Sequence, residues 1–148
     1  MTRPPFILDR YSPYLLNRLA ARISRRLARE YGERFGITIA EWRVLAHLAG
    51  SEGISVRDIE ARVDLDRSKV SRAVNRLESK GYVDKLRNTD DQRLLILSLT
   101  PAGRGLFERI APVALDFERR LLDGLSAGER EALFAAIDKL FDRLEAME

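Results

Sequence analysis

The stretch SVRDIEARVDLDRSKVSRAVNRLESKGYVDKLRNTDDQR, residues 55–93, decides how this chain folds. Its first half reads as two short helices. Ser55-Val56-Arg57-Asp58 has the form of a capping box opening a helix from Val56 to Arg62, and Asp66 is placed to cap another that runs to Lys80 and stops at Gly81. Asp64-Leu65 joins the two. In the second helix Val70, Ala73, Val74 and Leu77 fall at i, i+3, i+4 and i+7, which predicts the buried side. Arg67, Ser68, Lys69, Ser71, Arg72, Asn75 and Arg76 are left outside. After Gly81 the period changes: Tyr82 to Arg87 and Leu94 to Leu99 read as strands, and the polar residues 88–93 between them as a turn. Two short helices followed directly by a hairpin make a helix-turn-helix with a wing.

Working outward, Thr38-Ile39-Ala40-Glu41 predicts a capping box in which the threonine caps the third amide and the glutamate reaches back. It opens a helix to Ala49 with Trp42, Leu45 and Leu48 turned inward. Before it, Leu16, Leu19, Ile23, Leu27 and Tyr31 form one apolar stripe on a helix from Ser12 or Pro13 to Glu33, with Gly32 and Gly36 as stop signals. Beyond the wing, Thr100-Pro101 restarts a long helix carrying Leu106, Phe107, Ile110, Phe117 and Leu121; Pro112 is expected to kink or break it. Ser126-Ala127-Gly128-Glu129 is a further capping box, and the helix it opens carries Leu133, Ile137, Leu140, Phe141 and Leu144. The expected fold class is mainly α with a small β-hairpin wing. A winged helix-turn-helix lobe spans 37–100, and helical dimerisation regions occupy 1–36 and 101–148.

Composition narrows the function. The 148 residues suffice for one ordinary domain with a core, and no apolar run reaches the roughly 20 residues that cross a bilayer. The N-terminus lacks a secretory pattern, which predicts a cytoplasmic protein without a membrane partner. With no cysteine and only His47 as histidine, thiol chemistry and histidine-rich metal sites are excluded. No nucleophile elbow, phosphate loop or metal-ligand spacing marks an enzyme, and no cofactor is expected. The net charge of +3 is modest, so the case for nucleic acid rests on where the cations lie.

They lie on the helix 66–80. Arginine matches a guanine edge with two donors, and Asn75 has the donor–acceptor pair that matches adenine. Serine and lysine suit phosphates, and Arg57 on the preceding helix joins this set. Arg93, at the hairpin tip, suits the narrow and electronegative minor groove, with Asp91 holding its guanidinium by a paired bond. Such a helix face can also be merely solvated, and Asp91-Gln92-Arg93 merely a polar turn. A winged-helix adaptor that binds protein instead of DNA is the alternative, and it calls for a neutral or acidic helix rather than this basic one.

The chain resembles the MarR family (multiple antibiotic resistance regulators). The resemblance is carried by Gly36-Ile37-Thr38, Trp42-Arg43-Val44-Leu45, Val70-Ser71-Arg72, Arg76-Leu77-Glu78, Gly81-Tyr82-Val83, Asp90-Asp91-Gln92-Arg93 and Leu97-Ser98-Leu99-Thr100-Pro101-Ala102-Gly103. It implies a homodimer whose first and last helices interlock, with two recognition helices on a pseudo-palindromic operator. It also implies a transcriptional repressor released by a small ligand. Independently, Phe107, Ile110, Phe117, Leu121, Phe134, Ile137, Phe141 and Leu144 make more apolar surface than one small lobe covers, which predicts a two-fold partner. Tyr11, Tyr14 and Arg18 are the candidate effector contacts, because arginine matches a carboxylate and tyrosines flank an aromatic ring. The expected effector is therefore an aromatic or acidic molecule, or its acyl-CoA thioester with the helix 1 arginines on the phosphates. Packing at the dimer and ordinary ion pairs explain the same residues, and a regulator that senses nothing is also compatible. His47 is read as a packed or partly exposed helix residue and Trp42 as core.

Overall fold

The computed structural model describes residues 2–51, 53–63, 65–87, 90 and 95–148. A single 3-10 turn, Leu8–Arg10, precedes α1 (Ser12–Phe35) and α2 (Ile39–Ala49). The order continues with β1 (Ile54–Ser55), α3 (Val56–Val63), α4 (Arg67–Ser79), β2 (Val83–Arg87), β3 (Leu95–Leu99), α5 (Pro101–Leu121) and α6 (Ala127–Met147). This is the mainly helical winged architecture expected from the sequence, with one addition. The sheet has three strands in the order β1-β3-β2, all antiparallel, because Ile54 and Ser55 pair with Leu97 and Ile96. A two-residue strand has no period of its own, so only β2 and β3 were visible in the pattern. Those two pair in full register, Val83 opposite Leu99 through Arg87 opposite Leu95.

Capping residues set the helix starts. The Thr38 side chain accepts from the Glu41 amide at 3.1 Å, Ser55 from the Asp58 amide at 3.1 Å, and Asp66 from the Lys69 amide at 3.0 Å. Each satisfies an amide that has no partner inside its helix. Ser126 and Glu129 form the complete reciprocal box at α6. The Thr38–Glu41 box is not reciprocal in the expected way: the Glu41 carboxylate turns to α4, as described below. α1 ends at Gly36 in the left-handed conformation, φ 65°, which glycine adopts without a Cβ penalty. Of the two expectations for Pro112 a break is set aside, since α5 continues through it to Leu121; proline withholds one amide, and the neighbouring turns still carry the helix.

The chain divides into two compact units, Met1–Ile110 and Ala111–Glu148. The first holds the core, where Val44, Leu45, Leu48, Ile59, Val70, Val74, Leu77, Leu97, Leu106 and Ile110 are buried with Tyr31. Ile110, expected among the displayed apolar residues of the terminal helices, therefore belongs to this core. Trp42 is half-buried rather than interior, lying 5.7 Å from the Phe107 ring in a stack and 5.6 Å from Tyr31. Of the α1 stripe, Leu16 and Leu19 are exposed, Ile23 and Leu27 half-buried and Tyr31 buried.

One close approach joins the wing to α5. Thr100 caps α5 by accepting from the Gly103 amide at 3.0 Å, while its hydroxyl donates to the Gly81 carbonyl at 2.6 Å. The Thr100 amide in turn donates to the Tyr82 carbonyl at 3.1 Å. A Cβ on residue 103 would lie 2.0 Å from that same Tyr82 oxygen, so only glycine fits there. In the second unit α6 buries none of its residues, and Asp116 pairs with Arg119 at 2.8 Å and Arg120 at 3.0 Å. Among the described residues no helix is long and apolar enough to cross a membrane.

Candidate nucleic-acid interface

α4 carries the basic surface, and its orientation follows from its sequence. Val70, Ala73, Val74 and Leu77 are all buried, which turns the remaining side chains to solvent. Lys69, Ser71 and Arg72 are exposed on that outer face. Arg67 is exposed too, and its Nε lies 3.3 Å from Glu60 of α3. Arg57 is exposed on α3.

The other three predicted positions on α4 are already engaged within the protein. The Ser68 hydroxyl donates to Oδ1 of Asp66 at 2.6 Å, so it supports the N-cap. Together with the Lys69 amide and the charges of Lys69 and Arg72, it holds the Asp66 carboxyl below the ordinary aspartate range. Oδ1 of Asn75 accepts from Nζ of Lys85 on β2, which uses one of the two lone pairs of the acceptor that adenine readout needs. Lys85 also lies 3.4 Å from Glu78. Arg76 donates from Nε to Oε1 of Glu41 at 3.0 Å. Asp91 and Arg93, the candidate wing-tip pair, lie outside the described residues.

Sequence reasoning missed Lys80, Lys85 and Glu41 as organisers of this surface. For Lys85 the signal was available: strand alternation puts it on the side of buried Val83, toward α4, while Asp84 and Leu86 point outward. For Glu41 and Lys80, 39 residues apart and joined at 3.1 Å, no local pattern exists.

At α1, Arg18 sits over the Tyr14 ring at 5.7 Å, within the range of a cation–π contact. Arg18, Ala21, Arg22 and Arg25 line an open cavity of about 350 Å³. Tyr11 instead packs its ring 5.2 Å from Phe6. Two of the three candidate effector residues are thus in contact with each other, and the third has Phe6 as its ring partner. His47 is half-buried on α2.

The comparisons with known proteins agree with this geometry. The model of the MarR family matches residues 35–94. The fold is similar to a MarR/EmrR family transcriptional regulator from Acinetobacter sp. ADP1, with a TM-score of 0.87 and 30% identity, covering 95% of this chain and 99% of the other. It is similar to a cysteine-to-serine mutant of MarR from E. coli complexed with operator DNA, at a TM-score of 0.74 and 27% identity, with 87% and 95% of the two chains covered. It is also similar to the PcaV transcriptional regulator from Streptomyces coelicolor in complex with its natural ligand, at a TM-score of 0.79 and 26% identity, covering 95% and 98%.

Proposed function

This chain belongs to the MarR family, and from that premise we propose that it is a sequence-specific, homodimeric DNA-binding repressor released by a small aromatic or acidic effector or its acyl-CoA thioester. The observation that carries the DNA reading is the outer face of α4, where Arg67, Lys69, Ser71 and Arg72 stand exposed on a helix whose other side is buried. That helix enters the major groove, with Arg57 on the flanking backbone, and Arg72 is the candidate for reading a base edge. Ser68, Asn75 and Arg76 act first as supports of the helix, given their internal partners. The wing, 82–99, approaches the minor groove through Arg93 steadied by Asp91. The similarity to MarR bound to operator DNA supports this placement, and the similarity to PcaV with its ligand supports an effector.

In this reading residues 1–36 and 101–148 hold the two protomers together, and the symmetry axis puts two α4 helices on half-sites about one helical turn apart. Arg18 against Tyr14, beside Arg22 and Arg25, is the place to look for the effector's acid group. Such a regulator works in the cytoplasm and performs no catalysis. The test is fluorescence anisotropy with a duplex from the gene's own upstream region and with genomic fragments, followed by titration with aromatic acids and their thioesters. Tight, salt-sensitive binding reversed by one compound supports the whole proposal. Binding that no compound reverses removes the effector; no preferred duplex removes the DNA reading and favours a protein adaptor.

A further inference from the structure

Glu41 is 1% exposed, yet its carboxylate faces two cations of another helix. Arg76 donates from Nε to Oε1 at 3.0 Å, and Lys80 donates from Nζ to Oε2 at 3.1 Å. The Thr38 hydroxyl adds a bond to Oε1 at 3.3 Å, and Lys80 also reaches the Gly36 carbonyl at 3.2 Å. One carboxylate in the first turn of α2 thereby clasps the last turn of α4, and Lys80 extends the clasp to the end of α1.

The apolar contacts of Val70, Ala73, Val74 and Leu77 hold α4 down but are non-directional, so alone they tolerate some roll of the helix. Charge-assisted hydrogen bonds are directional and remove that freedom. The two cations are themselves partly exposed, 43% for Arg76 and 40% for Lys80, at the edge of the basic face. Drawn toward Glu41, each turns part of its donor set away from passing phosphates. Phosphate contacts supply affinity without sequence information, so withholding them favours discrimination.

We propose that Glu41 is a positioning residue for DNA recognition: it fixes the roll of α4 and keeps Arg76 and Lys80 out of non-specific backbone contact. This rests on the DNA-binding reading above. It assigns to a buried acid, which touches no DNA, a part in setting the ratio of specific to non-specific affinity.

The experiment compares full-length wild type with Glu41→Gln on a preferred duplex and on a mixed-sequence duplex, across a salt series. The amide keeps the volume and one acceptor but removes the charge that draws both cations inward. Specific affinity is expected to fall about tenfold, while non-specific affinity rises several-fold and its salt slope steepens by about 1 to 2, at ~0.9 per phosphate newly met. Glu41→Gln with Lys80→Gln should return the slope by about 1 without restoring specific affinity. Should Glu41→Gln fail to fold, Lys80→Gln alone decides. It loses specific affinity at unchanged slope if Lys80 is withheld from phosphate, and flattens the slope by about 1 if Lys80 is a DNA contact, which overturns the proposal. Equal losses on both duplexes with no change of slope reduce Glu41 to a stabilising role and also overturn it. A wild type without any preferred duplex removes the DNA reading, and this inference with it; a discriminating wild type with an unchanged Glu41→Gln ratio removes this inference alone.

Discussion

Helices α4 and α6 both open with a side-chain cap and both carry apolar residues at helical spacing, yet they end in opposite conditions. α4 has 13 residues and buries four of them. α6 has 21 and buries none. Leu133, Phe134, Ile137, Leu140, Phe141, Leu144 and Met147 of α6 remain 37–69% exposed. The other end of the chain shows the same condition, with Phe6, Ile7, Leu8, Leu15, Leu16 and Leu19 exposed. Local signals build both helices equally well. What differs is whether the protomer alone supplies the surface against which the apolar face packs. The winged lobe buries its apolar face within one copy; in the proposed dimer the termini bury theirs against a second.

The largest effect is therefore expected at α6. Ile137 and Phe141 are four residues apart and share a face, and a two-fold interface contains each of them twice. At about 2 kcal/mol for each of the four side chains, replacing both by aspartate removes on the order of 8 kcal/mol from association. Sedimentation should show a dimer for wild type and a monomer for Ile137→Asp with Phe141→Asp at micromolar concentration. A wild-type monomer under those conditions breaks the comparison at its root. Within the lobe the counterpart is Gly103→Ala, whose new methyl would meet the Tyr82 carbonyl at 2.0 Å. We expect a loss of about 3 kcal/mol in urea denaturation, from backbone forced apart between wing and α5. Unchanged stability would show that this approach is loose, and with it the fixed relation of hairpin to helix.

The same contrast explains which parts of the molecule were legible in the amino-acid sequence. Caps at Thr38, Asp66 and Ser126, the apolar face of α4 and the switch of period after Gly81 are local, and each appears in the structure where the sequence places it. The strand β1 was not legible, because two residues have no alternation and are recruited by pairing with Leu97 and Ile96. Ile110 was misplaced for a related reason: periodicity tells which face of a helix is apolar, and not which body covers it. In the candidate interface the residue types on α4 were readable, but their partners were not. Ser68 turns back to its own cap, Asn75 is met from a neighbouring strand, and Arg76 is drawn to a carboxylate 35 positions earlier in the chain.

That division sharpens the next expectation, on the outer face of α4. Arg72 is exposed, whereas Arg76 is tied to Glu41, so the two arginines should differ in kind. Arg72→Ala is expected to cost about 2 kcal/mol on the preferred duplex and much less on mixed sequence, as for loss of a base contact. Equal losses on both duplexes, with a flatter salt slope, would make Arg72 a phosphate contact instead. Wild-type affinity on both would take it out of the interface.

The smallest effect concerns the caps themselves. The Asp66 carboxyl is held below its ordinary range by the Ser68 hydroxyl, then by the Lys69 amide and nearby cations. The Glu129 carboxyl is held low by the Ser126 amide and hydroxyl. For a carboxyl depressed in the folded state, the stabilising bonds are at full strength above its ordinary value. They weaken as the pH falls through that value and on through the lower, folded one. Acid should therefore fray the first turn of both helices, and hydrogen-exchange protection of the Lys69 and Ser126 amides should decline over that window. Asp66→Asn keeps an acceptor for the Lys69 amide but cannot titrate. It should flatten the acid response at Lys69 and leave that at Ser126 as it was. If Lys69 keeps its acid response in that variant, fraying of α4 is driven by something other than its cap, and the likeness of the two helix starts would no longer hold.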